Sequence, residues 1–96
     1  MPVDDSRLPG FYKLSVADRR SKIANLANLS EEEVSALATH GELDELAADR
    51  MIENVIGTMS LPVGIATNFV IDGKPYLIPF CVEESSIVAA ASNMAK

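Results

Sequence analysis

Tryptophan is absent from this chain, which has one cysteine, one histidine, three phenylalanines and two tyrosines in 96 residues. The single thiol, Cys81, excludes an internal disulfide framework and a cysteine-rich zinc site. It fits a reducing compartment, so a cytoplasmic location is expected. One histidine among scattered acids offers no metal-ligand spacing, and no metal is expected. Basic residues are also few: eight Lys and Arg against fourteen Asp and Glu leave a formal net charge of −6. Nucleic-acid affinity rests on clustered cations that neutralise phosphates. The cations here are scattered, with Arg19-Arg20 the one adjacent pair, so no nucleic-acid partner is expected. No apolar run approaches the roughly 18–20 residues needed to span a bilayer. The acidic opening Met1–Asp5 lacks the basic-then-apolar layout of a signal peptide, and no membrane association is expected. A glycine-rich phosphate loop is missing too. Gly57, Gly64 and Gly73 stand singly, so no nucleotide cofactor site can be placed in these residues.

What remains is a chain that is 48% hydrophobic and 23% charged, a globular composition. Its length allows one small domain at most, with a modest share of surface buried.

Residues 1–14 hold two prolines and read as an irregular arm. Ser15 with Asp18 has capping-box spacing and opens a helix carrying Ile23, Leu26 and Ala27 at helical intervals. Ser30 with Glu33 repeats the device ahead of Val34, Leu37 and Ala38. His40-Gly41 ends that helix, with His40 read as a helix-end cation and Gly41 free to take positive φ. A third helix is expected from about Glu42 to Ile56, with Leu43, Leu46, Ala47, Met51, Val55 and Ile56 on its apolar face. Glu53 and Asn54 fall inside it, either as a solvated turn or as a buried polar pair meeting a partner.

After Gly57 and Pro62 the period changes. Val63–Ile71 is rich in β-formers, Asp72-Gly73 is a type I′ turn signal, and Tyr76–Val82 returns. Pro75 and Pro79 lack an N–H, so this second strand is expected at an edge or broken near Pro79. Cys81 reads as a small core residue. Ser86–Lys96 reads as an alanine-rich helix. The fold class is therefore α+β, with three N-terminal helices, a β-hairpin and the start of a further helix.

Glu83-Glu84 lies between the second strand and that helix. Acids favour helix N-termini through the macrodipole. A strand-to-helix junction is also where loops gather catalytic groups. The two roles conflict, because a helix N-terminus lowers a carboxyl pKa while a general acid at neutral pH needs it raised. Adjacent residues point in different directions, so one can face a cleft while the other serves the helix.

Three blocks together resemble a known family. They are Met51-Ile52-Glu53-Asn54-Val55-Ile56-Gly57, Leu61-Pro62-Val63-Gly64-Ile65-Ala66, and Pro79-Phe80-Cys81-Val82-Glu83-Glu84-Ser85-Ser86-Ile87-Val88-Ala89-Ala90. With the arm Asp5-Ser6-Arg7-Leu8-Pro9-Gly10-Phe11, they resemble the N-terminal segment of bacterial class II 3-hydroxy-3-methylglutaryl-CoA (HMG-CoA) reductase. The resemblance covers nearly the whole chain. It implies a helical arm over residues 1–60. It implies that residues 61–96 begin the HMG-CoA-binding large domain, ending in the truncated start of a long central helix. The activity implied is interconversion of HMG-CoA with mevalonate and coenzyme A by NAD or NADP, in a homo-oligomer built from dimers. Glu84 falls on the family's catalytic glutamate. Ser86 matches a contact to the hydroxymethylglutaryl group. Glu53 and Asn54 match the motif at the dimer interface. A basic residue after the arm's Phe meets coenzyme A phosphates in relatives; Tyr12 stands in that place here, and Lys13 follows as the candidate. The nicotinamide-binding domain and the partner lysine, aspartate and histidine are expected beyond Lys96, so these residues alone are expected to be inactive. The alternative is a non-catalytic helical module that keeps this segment for dimerisation.

Overall fold

The structure is a computed structural model that describes residues 1–41 and 43–96. Its organising element is a hairpin of two antiparallel strands, β1 (Val63–Ile71) and β2 (Lys74–Cys81). Asp72 at φ 51° and Gly73 at φ 79° make the turn, with the paired positive φ angles that a type I′ geometry requires. β1 has the limits expected from the sequence.

β2 runs unbroken through both prolines, which pair opposite Val70 and Ile65. The reason lies in which way the odd-numbered residues face. Leu77 donates its N–H outward to the carbonyl of Met1 at 2.8 Å. Pro75 and Pro79 share its parity, so their missing N–H groups also face away from β1 and no ladder bond is lost. The outer edge is taken by the chain's own first residues. Pro2 bridges Tyr76, Val3 N–H donates to the Pro75 carbonyl at 3.1 Å, and the Met1 amino group donates to the Leu77 carbonyl at 3.1 Å. The arm is thus irregular only after its opening residues, which lie along the sheet. It ends in a single 3₁₀ turn, Phe11–Lys13.

Two helices follow. Helix α1 (Val16–Ala27) is capped by Ser15, whose Oγ accepts from Asp18 N–H at 3.1 Å. Helix α2 (Glu31–Ala38) has the full reciprocal box: Ser30 Oγ accepts from Glu33 N–H, and Glu33 Oε1 accepts from Ser30 N–H at 2.9 Å. That backbone bond, with the Ser30 side chain, holds the Glu33 carboxyl below its usual pKa. Helices α1 and α2 pack on each other, and Ile23 is buried.

The third helix departs most from expectation. Its expected first residue, Glu42, lies outside the described residues. Helix α3 spans Glu45–Met51, with Asp44 capping the Ala47 N–H at 2.7 Å. Ile52 is already extended, and Asn54 sits at φ 57°. Glu53 and Asn54 therefore lie outside the helix, in the connection to β1. Two causes act together. The β-branched residues Ile52, Val55 and Ile56 are weak helix formers. The expected apolar face also has nothing to pack on among the described residues: Leu43, Leu46, Ala47, Met51 and Ile56 are exposed, Val55 is half-buried, and the buried residue of the helix is Ala48, which is not on that face.

Helix α4 (Ile87–Met94) lies against β1. Gly64 makes the close approach possible, since a Cβ there would stand 3.2 Å from Val88 Cγ2. The hairpin core is Ala66 and Leu77, both fully buried. Cys81 is exposed at the end of β2, contrary to the core role expected of it, in the last ladder pair, whose other member Val63 is exposed too. Among the described residues, no helix is long and apolar enough to cross a membrane.

Candidate functional site

β1 does not pair evenly. The register steps between Ala66 and Phe69, leaving Thr67 and Asn68 as a bulge opposite Leu77. Asn68 takes φ 71°, a left-handed conformation that asparagine tolerates better than most residues. The bulge turns the Asn68 N–H out of the ladder, the Thr67 N–H faces the free edge of β1 by parity, and each finds an acceptor outside β2. Thr67 N–H donates to Ser92 Oγ at 2.9 Å, and Asn68 N–H donates to the Ser6 carbonyl at 2.8 Å. Ser6, almost fully buried, donates its hydroxyl to the Phe69 carbonyl at 2.7 Å. Asn68 Nδ2 donates to the Ser92 carbonyl at 3.0 Å, and Ser92 Oγ donates to the Val88 carbonyl at 2.9 Å. Arm, strand and helix thus meet at one point. None of these four polar residues was singled out from sequence. The available signal was an asparagine following a threonine inside an otherwise apolar strand.

At the other end of the hairpin, Val82 N–H donates to the Pro62 carbonyl at 3.2 Å. The chain then bends through Glu83 and Glu84 and turns at Ser85-Ser86 into α4. An open hollow of about 520 Å³ lies here, lined by residues 62–64, 82–86, Val88 and Ala89. Glu84 and Ser86 share it, as expected of them, and both are exposed. Glu83 lines it too. The division of labour expected from sequence, one glutamate to a cleft and the other to the helix, is not found: the first turn of α4 holds no acid, because the two serines intervene. Ser86 occupies the cap position at φ 73° without a side-chain cap bond, so its hydroxyl is not committed to the helix. The first helical bond runs from Ala90 N–H to the Ser86 carbonyl at 2.8 Å. The amides before it have no helical acceptor and add a partial positive charge to this wall. An exposed carboxyl, an uncommitted hydroxyl and free amide donors on one hollow can transfer a proton and hold an oxyanion or carbonyl oxygen.

The other candidates lie elsewhere. Lys13 Nζ is 5.8 Å from the Tyr12 ring centroid and lines no part of this hollow. Glu53 and Asn54 are exposed beside a second hollow of about 370 Å³, lined by Glu45, Leu46, Asp49 and Val55–Gly57. Among the described residues the ion pair is Arg7–Asp5 at 3.0 Å. It is exposed and local, and its side-chain hydrogen bond lowers the Asp5 pKa and raises that of Arg7. No cation stands within salt-bridge reach of Glu83 or Glu84 among those residues. No cluster of three metal-ligating side chains occurs there either.

Residues 15–96 match the family model described as hydroxymethylglutaryl-coenzyme A reductase. The chain is 65% identical over 92 residues to 3-hydroxy-3-methylglutaryl-coenzyme A reductase of Archaeoglobus fulgidus, covering 95% of this chain and 21% of that protein. It is 41% identical over 83 residues to the Cyberlindnera jadinii enzyme, covering 85% of this chain and 9% of that one. Among solved structures it superposes on 3-hydroxy-3-methylglutaryl-coenzyme A reductase from Streptococcus pneumoniae with a TM-score of 0.81 at 36% identity, covering 91% of this chain and 21% of that chain. The class II enzyme of the same organism, solved bound to NADPH in open conformations, matches with the same score and identity over 24% of its length. The chain thus spans about a fifth of the length of the archaeal relative.

Proposed function

The chain belongs to the hydroxymethylglutaryl-coenzyme A reductase family, and from that premise we propose that it is the N-terminal part of such an enzyme, with Glu84 as its proton donor. The reaction is interconversion of HMG-CoA with mevalonate and coenzyme A. The observation that carries this reading is the shared hollow: Glu84 and Ser86 line one cavity at the end of the hairpin, open to a substrate. Glu84 delivers a proton to the thioester or aldehyde oxygen. Ser86 and the free amides at the head of α4 orient the acyl group. On this reading Lys13 meets the coenzyme A phosphates and Glu53 and Asn54 belong to a dimer interface, a role supported by their exposure among exposed aliphatic side chains. We assign the protein to the cytoplasm on its lone thiol.

A nicotinamide supplies the hydride in this chemistry. The described residues do not fit one. Pyrophosphate is held at a glycine-rich strand-to-helix turn, and the strand-to-helix junction among the described residues, at 82–86, has no glycine and carries two carboxylates. The NAD or NADP site is assigned outside these residues, and no step is derived through it. The 96-residue chain alone is accordingly expected to be inactive. In the full-length protein, Glu84→Gln removes most mevalonate-dependent nicotinamide reduction and leaves the dimer intact. Undiminished turnover by that variant would refute the assignment.

A further inference from the structure

We infer that Ser92, acting with Asn68, is a positioning residue for Glu84, and that the β1 bulge is the fixed point from which the acid is aimed. The inference rests on the reading of Glu84 as proton donor. The loop carrying Glu84 is short and held at two ends. Its first end is tied to the sheet by Val82 N–H on the Pro62 carbonyl, 3.2 Å. Its second end is α4. What the first turns of α4 pack on therefore decides where that end of the loop sits.

Of the contacts between α4 and β1, two stand out, and they differ in kind. Val88 on Gly64 is apolar and non-directional, and tolerates a slide along the strand. The clamp at Ser92 does not. Its hydroxyl accepts from Thr67 N–H at 2.9 Å and donates to the Val88 carbonyl at 2.9 Å, while Asn68 Nδ2 donates to the Ser92 carbonyl at 3.0 Å. Hydrogen bonds need both distance and angle, so this pair sets the axial register of the helix. One residue of slip moves a helix about 1.5 Å, and a misplacement of about 1 Å can cost about a hundredfold in rate. Ser92 does not line the hollow, so any effect it has on the chemistry passes through the helix. The bulge supplies the Asn68 half of the clamp: an evenly paired strand would hold Asn68 in the ladder opposite Tyr76, whereas Thr67, opposite the outward-facing Leu77, presents its N–H to the free edge of β1.

The test is steady-state kinetics on the full-length protein, with folding checked by circular dichroism. Ser92→Ala is expected to lower kcat by about tenfold or more with KM for HMG-CoA within about twofold. It also moves the limb of the kcat pH profile that Glu84→Gln abolishes. Ser92→Thr keeps the hydroxyl and restores kcat to within about threefold, and Asn68→Gly, which keeps the positive φ but removes Nδ2, gives a smaller loss in the same direction. A folded Ser92→Ala enzyme with unchanged kcat overturns the inference. So does a fall in kcat with an unmoved pH limb, which is simple loss of active enzyme. If Ser92→Ala does not fold, Asn68→Gly decides by the same two criteria. Full activity in Glu84→Gln would instead remove the reading beneath it.

Discussion

The hairpin with α4 and the stretch from Leu43 to Leu61 are both rich in aliphatic side chains, yet they meet opposite fates. In the first, Ala66 and Leu77 are at 0% exposure, and every displaced backbone donor at the bulge finds a named acceptor. In the second, Ile56 and Met59 stand at 101% and 96% exposure, and the backbone from Ile52 to Pro62 is neither helix nor strand. Composition does not separate the two regions. What separates them is a partner: the hairpin brings its own, in α4 and the opening residues, and the 43–61 stretch has none among the described residues. A run of exposed aliphatics of this length is the mark of a surface meant to be covered, which agrees with the interface proposed at Glu53 and Asn54.

The sharpest contrast comes from truncating one side chain in each region. Leu77→Ala should cost about 2–5 kcal/mol, the range for deleting a fully buried leucine, read as a fall in the urea midpoint. Ser6→Ala comes next, at about 1–3 kcal/mol, because it strands the Phe69 carbonyl beneath the arm. Gly64→Ala should cost about 1–3 kcal/mol by crowding Val88, and it should displace α4 rather than unfold the hairpin. Ile56→Ser should change unfolding by less than about 0.5 kcal/mol but shift the association constant in sedimentation. If instead Ile56→Ser unfolds the chain as Leu77→Ala does, the stretch is core and the contrast collapses. The smallest effect is in α2. The folded-state pKa of Glu33 is depressed, so its capping contribution is present above the unfolded pKa and lost as pH falls through the folded one. Glu33→Gln should abolish that acid-side loss of helicity, with little change at neutral pH.

Legibility followed the range of the forces involved. The Ser30 box and the Asp72-Gly73 turn are set by neighbours within four residues, and sequence reading located both. The limits of α3 were misjudged because helical periodicity from Leu43 to Ile56 records which face could be buried, not whether anything is there to bury it. The prolines of β2 were read as a threat because parity relative to β1 is not visible in the letters. The bulge was invisible for the same reason: its acceptors, Ser92 and Ser6, lie twenty-five and sixty-two residues from their donors. Family resemblance singled out Glu84 where local physics offered an ordinary helix-end acid, and the structure sets both glutamates off the helix and on one hollow.

The arm laid along β2 also has a consequence in time. Met1–Val3 pair with Pro75–Leu77, so the arm waits for a partner 76 residues downstream in the case of Met1 and Leu77. At about 5–20 residues per second, that is a delay of about 4–15 s on the ribosome, during which the sheet's outer strand does not exist. Contacts of such sequence separation also close slowly. The two prolines then gain a second meaning. When β2 emerges, its outer edge offers no N–H at Pro75 or Pro79, so a stray strand from a neighbouring nascent chain finds a poor template, while the protein's own opening residues, already tethered nearby, fit the donor and acceptors that remain.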